Sequence, residues 1–338
     1  MPSDVYSEGQ FSFSKISLES LKSLTNYSLE IMYSIDKIND LLKLPLSELM
    51  TLARDAKLRE RGDSFSLCTI MNVKSGRCTE DCAFCAQSSR YRTESPVFAL
   101  KSTDEILEAA AKAKDAGAAR FSLVTSGLGL SRSEVDELAV GIEQIRTGVG
   151  ISVCASFGIL DSEALETLKS AGLSRYHHNI ETSEAFFPKV ITTHSFKERI
   201  STIHTAKDVG LEVCSGGIIG LGESAEDRVS MALTLAGLGV DSVPINILVP
   251  IPGTPLASQA PLSVEEILLT IAIFRLIFPK KAIRIAGGRE SALKDFQGLA
   301  FWTGADAMLI GGYLTVAGRP IEVDLRLVRE VKRLWQRG

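Results

Sequence analysis

Three of the six cysteines fall within eight residues of the stretch Gly76-Arg77-Cys78-Thr79-Glu80-Asp81-Cys82-Ala83-Phe84-Cys85-Ala86-Gln87-Ser88-Ser89-Arg90-Tyr91, spaced C-x3-C-x2-C. Three thiolates on one loop can hold three corners of a cubane iron–sulfur cluster, whose closed form takes four. One iron then stays open, much as a catalytic zinc keeps an open position for chemistry. Phe84, inside the second gap, would keep water off such a cluster and influence its potential. Other readings use these residues less well. A disulfide framework needs an oxidising compartment, and the first residues lack a positive stretch followed by an apolar core, so a reducing, cytoplasmic setting is expected. Structural zinc calls for a second C-x2-C or Cys/His pair, which the sequence lacks. A redox pair of Cys82 and Cys85 leaves Cys78 unused.

The other three cysteines do not cluster. Cys68, Cys154 and Cys214 each lie in a short β-rich run, and Arg284 lies in another, Ile283-Arg284-Ile285. If these are the first, third, fifth and seventh strands of a barrel, they can meet in one interior layer, because such layers draw four side chains from alternate strands. A buried free cysteine is often a small hydrophobe, which accounts for any one of them. It does not account for a guanidinium in the same interior, which needs anionic partners. Thiolates around a second iron–sulfur cluster would supply that charge.

The elements that must position these residues are regular. Candidate strands at 67–73, 120–125, 151–156, 175–180, 211–218, 242–249, 282–286 and 307–310 alternate with amphipathic helices. Ser102…Glu105, Ser131…Glu134, Ser195…Glu198, Ser224…Asp227 and Ser263…Glu266 each place a hydroxyl three residues before a carboxylate, a capping box. Asp161 opens another helix, and Gly117, Gly172 and Gly210 stand where helices should stop. Eight strands alternating with helices predict an α/β fold of the (β/α)8 type, residues 61–338, preceded by a helical extension, residues 1–60, packing on the barrel. A doubly wound sheet is the runner-up, but no G-x-G-x-x-G follows the first strand. The first fifteen residues show no clear period and predict a loose arm.

Composition narrows the function classes. Apolar residues make up 45% and charged residues 23% of 338, enough for a sizeable core. A net charge of −4 gives no basic footprint for nucleic acid. No membrane span is expected, since the apolar run at 267–278 is interrupted by Thr270 and Arg275.

The C-x3-C-x2-C spacing with an aromatic before the last cysteine resembles the signature of radical S-adenosylmethionine (SAM) enzymes. The runs CAFCAQSSRY, VCSGGIIGLGE and VPINILVPIPGTPL resemble the biotin synthases among them. The resemblance spans roughly residues 60–320. It implies a [4Fe–4S] cluster on Cys78, Cys82 and Cys85 whose open iron is chelated by SAM. It also implies an electron from a flavodoxin or ferredoxin, cleavage of SAM to a 5′-deoxyadenosyl radical, and sulfur insertion between C6 and C9 of dethiobiotin. Iron–sulfur assembly machinery and a homodimer belong to the same expectation.

The resemblance further implies an auxiliary cluster, usually [2Fe–2S], on three cysteines and an arginine, with Cys154, Cys214 and Arg284 matching three of those ligands. The fourth family cysteine falls at Ser122, while Cys68 stands where the family pattern has serine. Cys68 is therefore expected to replace the missing thiolate, in a [2Fe–2S] cluster or a four-iron cluster with an extra sulfide. Asn179 and Glu181, two apart and so on one face of an extended segment, match positions that contact SAM and substrate, with Phe84 beside the cofactor. Arg199 matches a partner for the SAM carboxylate, or is a plain surface charge. Asn246 matches a substrate-binding asparagine, and His177 stands where the family has another. His177 and His178 alternate faces and are weak metal ligands. A hydrogenase-cofactor maturase-like paralogue and a non-catalytic iron–sulfur carrier are the alternatives.

Overall fold

The computed structural model describes residues 38, 40–314 and 318–336; the predicted loose arm and most of the extension before residue 38 lie outside them. The strands are β1 (Ser66–Lys74), β2 (Arg120–Thr125), β3 (Ser152–Ser156), β4 (Leu173–His177), β5 (Glu212–Cys214), β6 (Gly217–Ile219), β7 (Ser242–Ile247), β8 (Ala282–Ile285) and β9 (Ala307–Leu309). They run β5-β4-β3-β2-β1-β9-β8-β7-β6, and a parallel β5–β7 pairing closes the ring. β5 and β6 are two halves of one barrel strand interrupted at Ser215-Gly216, so the barrel has eight staves, all parallel.

The interruption has a local cause. A Cβ on Gly216 would lie 1.8 Å from the Pro244 carbonyl oxygen, and one on Gly217 would lie 2.2 Å from that of Glu181. Only glycine lets backbones approach so closely. The predicted fourth strand is shifted, 173–177 in place of 175–180. Beyond His177 the chain still follows its neighbour, with His178 N donating to Cys214 O at 3.0 Å and Ile180 N to Gly216 O at 3.0 Å. It then turns at Glu181, whose φ of 67° ends the ladder.

Around the barrel lie α1 (Leu46–Arg61), α2 (Thr103–Asp115), α3 (Arg132–Gln144), α4 (Ser162–Ala171), α5 (Phe196–Asp208), α6 (Ala225–Gly237), α7 (Val264–Ile277), the short α8 (Arg289–Leu293) and α9 (Gln297–Trp302), and α10 (Ile321–Trp335). All five predicted capping boxes are formed, opening α2, α3, α5, α6 and α7. Asp161 caps α4 through Ala164 N. α7 is buried almost all round because α1 covers its outer side, so even Thr270 and Arg275 are enclosed. No described helix is long and apolar enough to cross a membrane.

Alternation along the strands decides what the barrel encloses. On β2, Phe121, Leu123 and Thr125 are buried against the helices, which turns Arg120, Ser122 and Val124 to the lumen. On β3, Val153 and Ala155 face out and Cys154 faces in. The same parity turns Cys214, Ser242 and Arg284 inward, and Arg284 Nη1 confirms it by donating to Cys214 Sγ at 3.6 Å and Ser242 Oγ at 3.1 Å.

Candidate active site at the mouth of the barrel

The cysteine loop follows β1 and folds across the strand ends. Cys78 N donates to Gln87 O (3.2 Å) and Ser89 N to Cys78 O (2.7 Å), drawing the two ends of the motif together. The Gln87 side-chain oxygen accepts from Ser75 Oγ at 2.9 Å and Asn72 Nδ2 at 3.3 Å, fixing the loop to the end of β1. Ala83 N reaches Val190 O at 2.9 Å, tying the middle of the motif to the β4–α5 connection. Arg77 holds a φ of 53°, uncommon for a residue with a Cβ, at the entry to the motif.

The three thiols stand within one another's electrostatic reach. Burial pushes Cys82 well up, opposed by Arg199 and reinforced by Cys85, Glu181 and Cys78. Burial likewise raises Cys85, against the pull of the Gln87 and Ser88 backbone N–H groups. Such thiols stay protonated by themselves, and a bound cation such as iron would be needed to stabilise them as thiolates. Among the described residues no three His, Cys, Asp or Glu side chains close on one point as ligands of a single ion would. A cluster asks for something different, since each thiolate meets its own iron. Phe84 is half-buried and packs on the core beside Cys82, Ala83 and Cys85.

Facing the loop are Asn179, Glu181 and Arg199. Arg199 is not a surface charge: its side chain is 12% exposed and donates from Nη1 to Asn179 O at 3.0 Å, with Glu181 Oε1 at 3.5 Å. Asn179 spans the break in the fifth stave, its Oδ1 accepting from Gly216 N at 3.1 Å and its Nδ2 donating to Glu181 Oε2 at 3.3 Å. Asn246, on β7, donates to Gly217 O at 3.2 Å and accepts from Gly287 N at 3.0 Å, leaving one N–H and one lone pair for a ligand. These groups offer donors and acceptors suited to a carboxylate and to ribose hydroxyls beside a three-thiol cluster, so SAM fits the set.

Below the mouth, Cys68, Cys154, Cys214 and Arg284 come together as the strand parity requires. Burial pushes the Cys154 thiol up to about 12, with Cys68 the strongest neighbouring influence. Burial also acts to raise Cys214, but His177, Arg284 and Arg175 outweigh it and bring that thiol down to about 6. Burial works against the Arg284 charge, yet Cys68, Cys214 and Cys154 hold its pKa above the ordinary value. Arg284 Nε is buried with no partner among the described residues. Three thiols around a guanidinium nitrogen with nothing to bond is a donor set an interior cluster would satisfy. Ser122 shares the lumen and stands in register with Cys154 and Ile70. Cys68 pairs with Arg120, one inward step nearer the strand starts.

The two histidines part company as their spacing predicts. His177 faces inward beside Cys214. His178 is buried and stacked on Tyr176 with ring centroids 6.3 Å apart, and burial drives its pKa well down.

Two further groups stand beside the sites that the sequence reading named. Glu80 and Asp81, inside the cysteine motif, are buried or half-buried against the run Thr192-Thr193-His194. Asp81 Oδ1 accepts from Thr192 N at 2.9 Å and Thr193 N at 3.2 Å. Under the interior cysteines, Glu212 Oε2 takes Arg175 Nη2 at 2.8 Å and Arg120 Nη2 at 2.9 Å, a net-positive floor. The only sequence signal for the first group is two acids between metal-spaced cysteines; the second has none.

Comparison with known proteins identifies the family. The family model described as Radical SAM superfamily matches residues 72–235, and that described as Biotin and Thiamin Synthesis associated domain matches residues 244–332. The biotin synthase of Pelotomaculum thermopropionicum is 50% identical over 287 residues, 85% of this chain and 89% of the relative. Biotin synthase 2 of Corynebacterium diphtheriae is 46% identical over 88% of this chain and 90% of its own length. Among solved structures, methylornithine synthase superposes with a TM-score of 0.77 at 21% identity, covering 93% of this chain and 95% of its own. The hydrogenase maturase HydG gives 0.76 at 15%, covering 93% and 77%. At those identities the two structures share the barrel alone, whereas 44–50% identity along most of the chain runs to biotin synthases, in Citrifermentans bemidjiense and Pelotomaculum among others. The chain is a radical SAM enzyme and belongs to the biotin synthase family.

Proposed function

We propose that the chain inserts sulfur between C6 and C9 of dethiobiotin, using the loop cysteines for the radical-generating cluster and the barrel interior for the sulfur-bearing one. The observation that carries this reading is the vertical pairing: a three-thiol loop at the mouth and three more thiols with Arg284 directly in the lumen. When bound, the [4Fe–4S] cluster and SAM supply a carbon radical able to take hydrogen from an unactivated C–H bond, and the auxiliary cluster supplies sulfur.

The chain's own residues position and shield. Cys78, Cys82 and Cys85 would hold the [4Fe–4S] cluster, with one position left for SAM. Arg199 offers its free Nη2 to the SAM carboxylate, while Asn179 and Glu181 take hydroxyls of the ribose and the ureido end of the substrate, and Phe84 keeps water from the cofactor. Asn246 and His177 line the substrate space between mouth and lumen. Cys68, Cys154, Cys214 and Arg284 would ligate the auxiliary cluster, [2Fe–2S] or a four-iron form with extra sulfide, with Cys68 standing in for the thiolate that Ser122 lacks. Serine oxygen is a harder ligand that holds iron less well. The rest of the barrel excludes water from reactive carbon.

A flavodoxin- or ferredoxin-type protein as electron donor, iron–sulfur assembly machinery as source of both clusters, a homodimer and a cytoplasmic setting complete the proposal. The deciding experiment is growth of a biotin auxotroph fed dethiobiotin. Growth with this chain is expected. No growth despite cluster-loaded protein would assign it another substrate, and no 5′-deoxyadenosine from the reduced protein with SAM would make it a carrier.

A further inference from the structure

Glu80, inside the cysteine motif, is joined to the SAM-facing arginine by one side chain. His194 Nδ1 lies 2.5 Å from Glu80 Oε2, and its Nε2 accepts from Arg199 Nε at 3.0 Å. Because a guanidinium N–H can only donate, Nε2 is the acceptor, and the ring proton sits on Nδ1, facing Glu80. Arg199 Nη1 is held by Asn179 O at 3.0 Å and approaches Glu181 Oε1 at 3.5 Å. Nη2 is the guanidinium nitrogen left without a protein acceptor among the described residues. Phe187 forms the apolar side of the arrangement, its ring centroid 5.8 Å from that of His194 and 5.8 Å from Arg199 Cζ. Both side chains are enclosed, His194 at 3% and Arg199 at 12% exposure.

We infer that His194 is a positioning residue for SAM: by accepting from Nε it fixes the guanidinium plane so that Nη2 points at the SAM carboxylate, and through Glu80 it ties that plane to the cluster loop. This rests on the reading of Arg199 as the carboxylate partner. A planar fork recognises a carboxylate only when its orientation is set, and each pinned N–H removes one freedom that binding would otherwise have to remove. Glu80 keeps a second donor, Thr193 Oγ1 at 2.6 Å, so the loop does not hang on His194 alone.

Two substitutions separate the contacts. His194→Asn keeps a donor near the Nδ1 position for Glu80 and loses the acceptor for Arg199. His194→Gln places an amide oxygen near the Nε2 position and loses the Glu80 contact. The measurement is the SAM dissociation constant of anaerobically loaded, unreduced full-length protein, followed by the change SAM causes in the cluster's spectrum, with iron counted per chain. The expectation is about tenfold weaker SAM binding in His194→Asn, the scale of one lost charge-assisted hydrogen bond. Binding within about twofold of wild type in His194→Gln and unchanged iron in both complete it. Wild-type SAM affinity in His194→Asn, while Arg199→Ala binds weakly, overturns the role of His194. Loss of iron in both variants overturns it too, making the strap a structural anchor of the loop. Unchanged affinity in Arg199→Ala removes the carboxylate reading and this inference with it.

Discussion

At the scale of single residues, Cys68 and Ser122 matter most. Cys68 and Ser122 both face the lumen, but Cys68 is the foremost neighbouring influence on Cys154 and on Arg284. Ser122 is merely alongside Cys154 in the ladder. If Cys68 is the fourth protein ligand, Cys68→Ser should bring iron and sulfide down to the complement of the loop cluster, while Ser122→Ala leaves both unchanged. Elemental counts with Mössbauer spectra check this. Loss of the loop cluster alone, with the interior one intact, would falsify the assignment. The sequence exposed the cysteines because thiols at metal spacing have few other uses. It was silent on His194 because a histidine one residue before a helix cap has no spacing partner; its partners, Glu80 and Arg199, are brought to it by folding.

At the scale of elements, α1 is held by an unusual contact. Lys57 is wholly buried, its Nζ 3.0 Å from the centroid of the Trp335 ring on α10 and donating to Gly62 O at 2.6 Å. Burial presses its pKa from 10.5 down to about 7, against the pull of Asp306. Between those values the unfolded chain keeps a proton that the native lysine has released. The unfolded state thus binds more protons, and stability rises with pH across that window, by up to about 1.4 kcal/mol per pH unit. Below pH 7 both states are charged and the contribution is absent. Chemical denaturation of wild type and Lys57→Met from pH 7 to pH 9 should show this slope only in the wild type; equal slopes would place the pH dependence elsewhere. The capping boxes, by contrast, were fully legible, since each is a contact between residues three apart.

At the scale of the whole molecule, one carboxylate ties the outer helices to the bottom of the barrel. Asp306, just before β9, is fully buried and accepts from Arg275 Nη2 on α7 at 3.0 Å and from Ile283 N on β8 at 2.9 Å; Arg61 of α1 completes the set. Arg275 also donates to the Gly304 and Lys281 carbonyls, each at 2.8 Å. The Thr303-Gly304-Ala305-Asp306 turn, which superficially suggests a phosphate site, is therefore occupied by the protein's own cation. Asp306→Ala strands a buried guanidinium and should cost about 3 kcal/mol in urea unfolding, without altering SAM affinity, because the site lies at the other end of the strands. A loss below about 1 kcal/mol would mean that Arg275 is satisfied by carbonyls alone.

The sequence by itself determined the cluster loop, the eight-stave alternation and the family, because each rests on short-range spacing: cysteines within eight residues, hydroxyl–carboxylate pairs three apart, and alternating runs. It also placed Cys154, Cys214 and Arg284 inside, since parity along a strand needs only the barrel assumption. Only the tertiary structure decided that Arg199 is enclosed rather than solvated. It alone brought Glu80 to His194 and broke the fifth stave at Gly216 to let Asn179 and Glu181 approach. Those contacts join residues far apart in the chain. Which of them form depends on the stagger of the strands and the path of the loops above them, which no local pattern encodes.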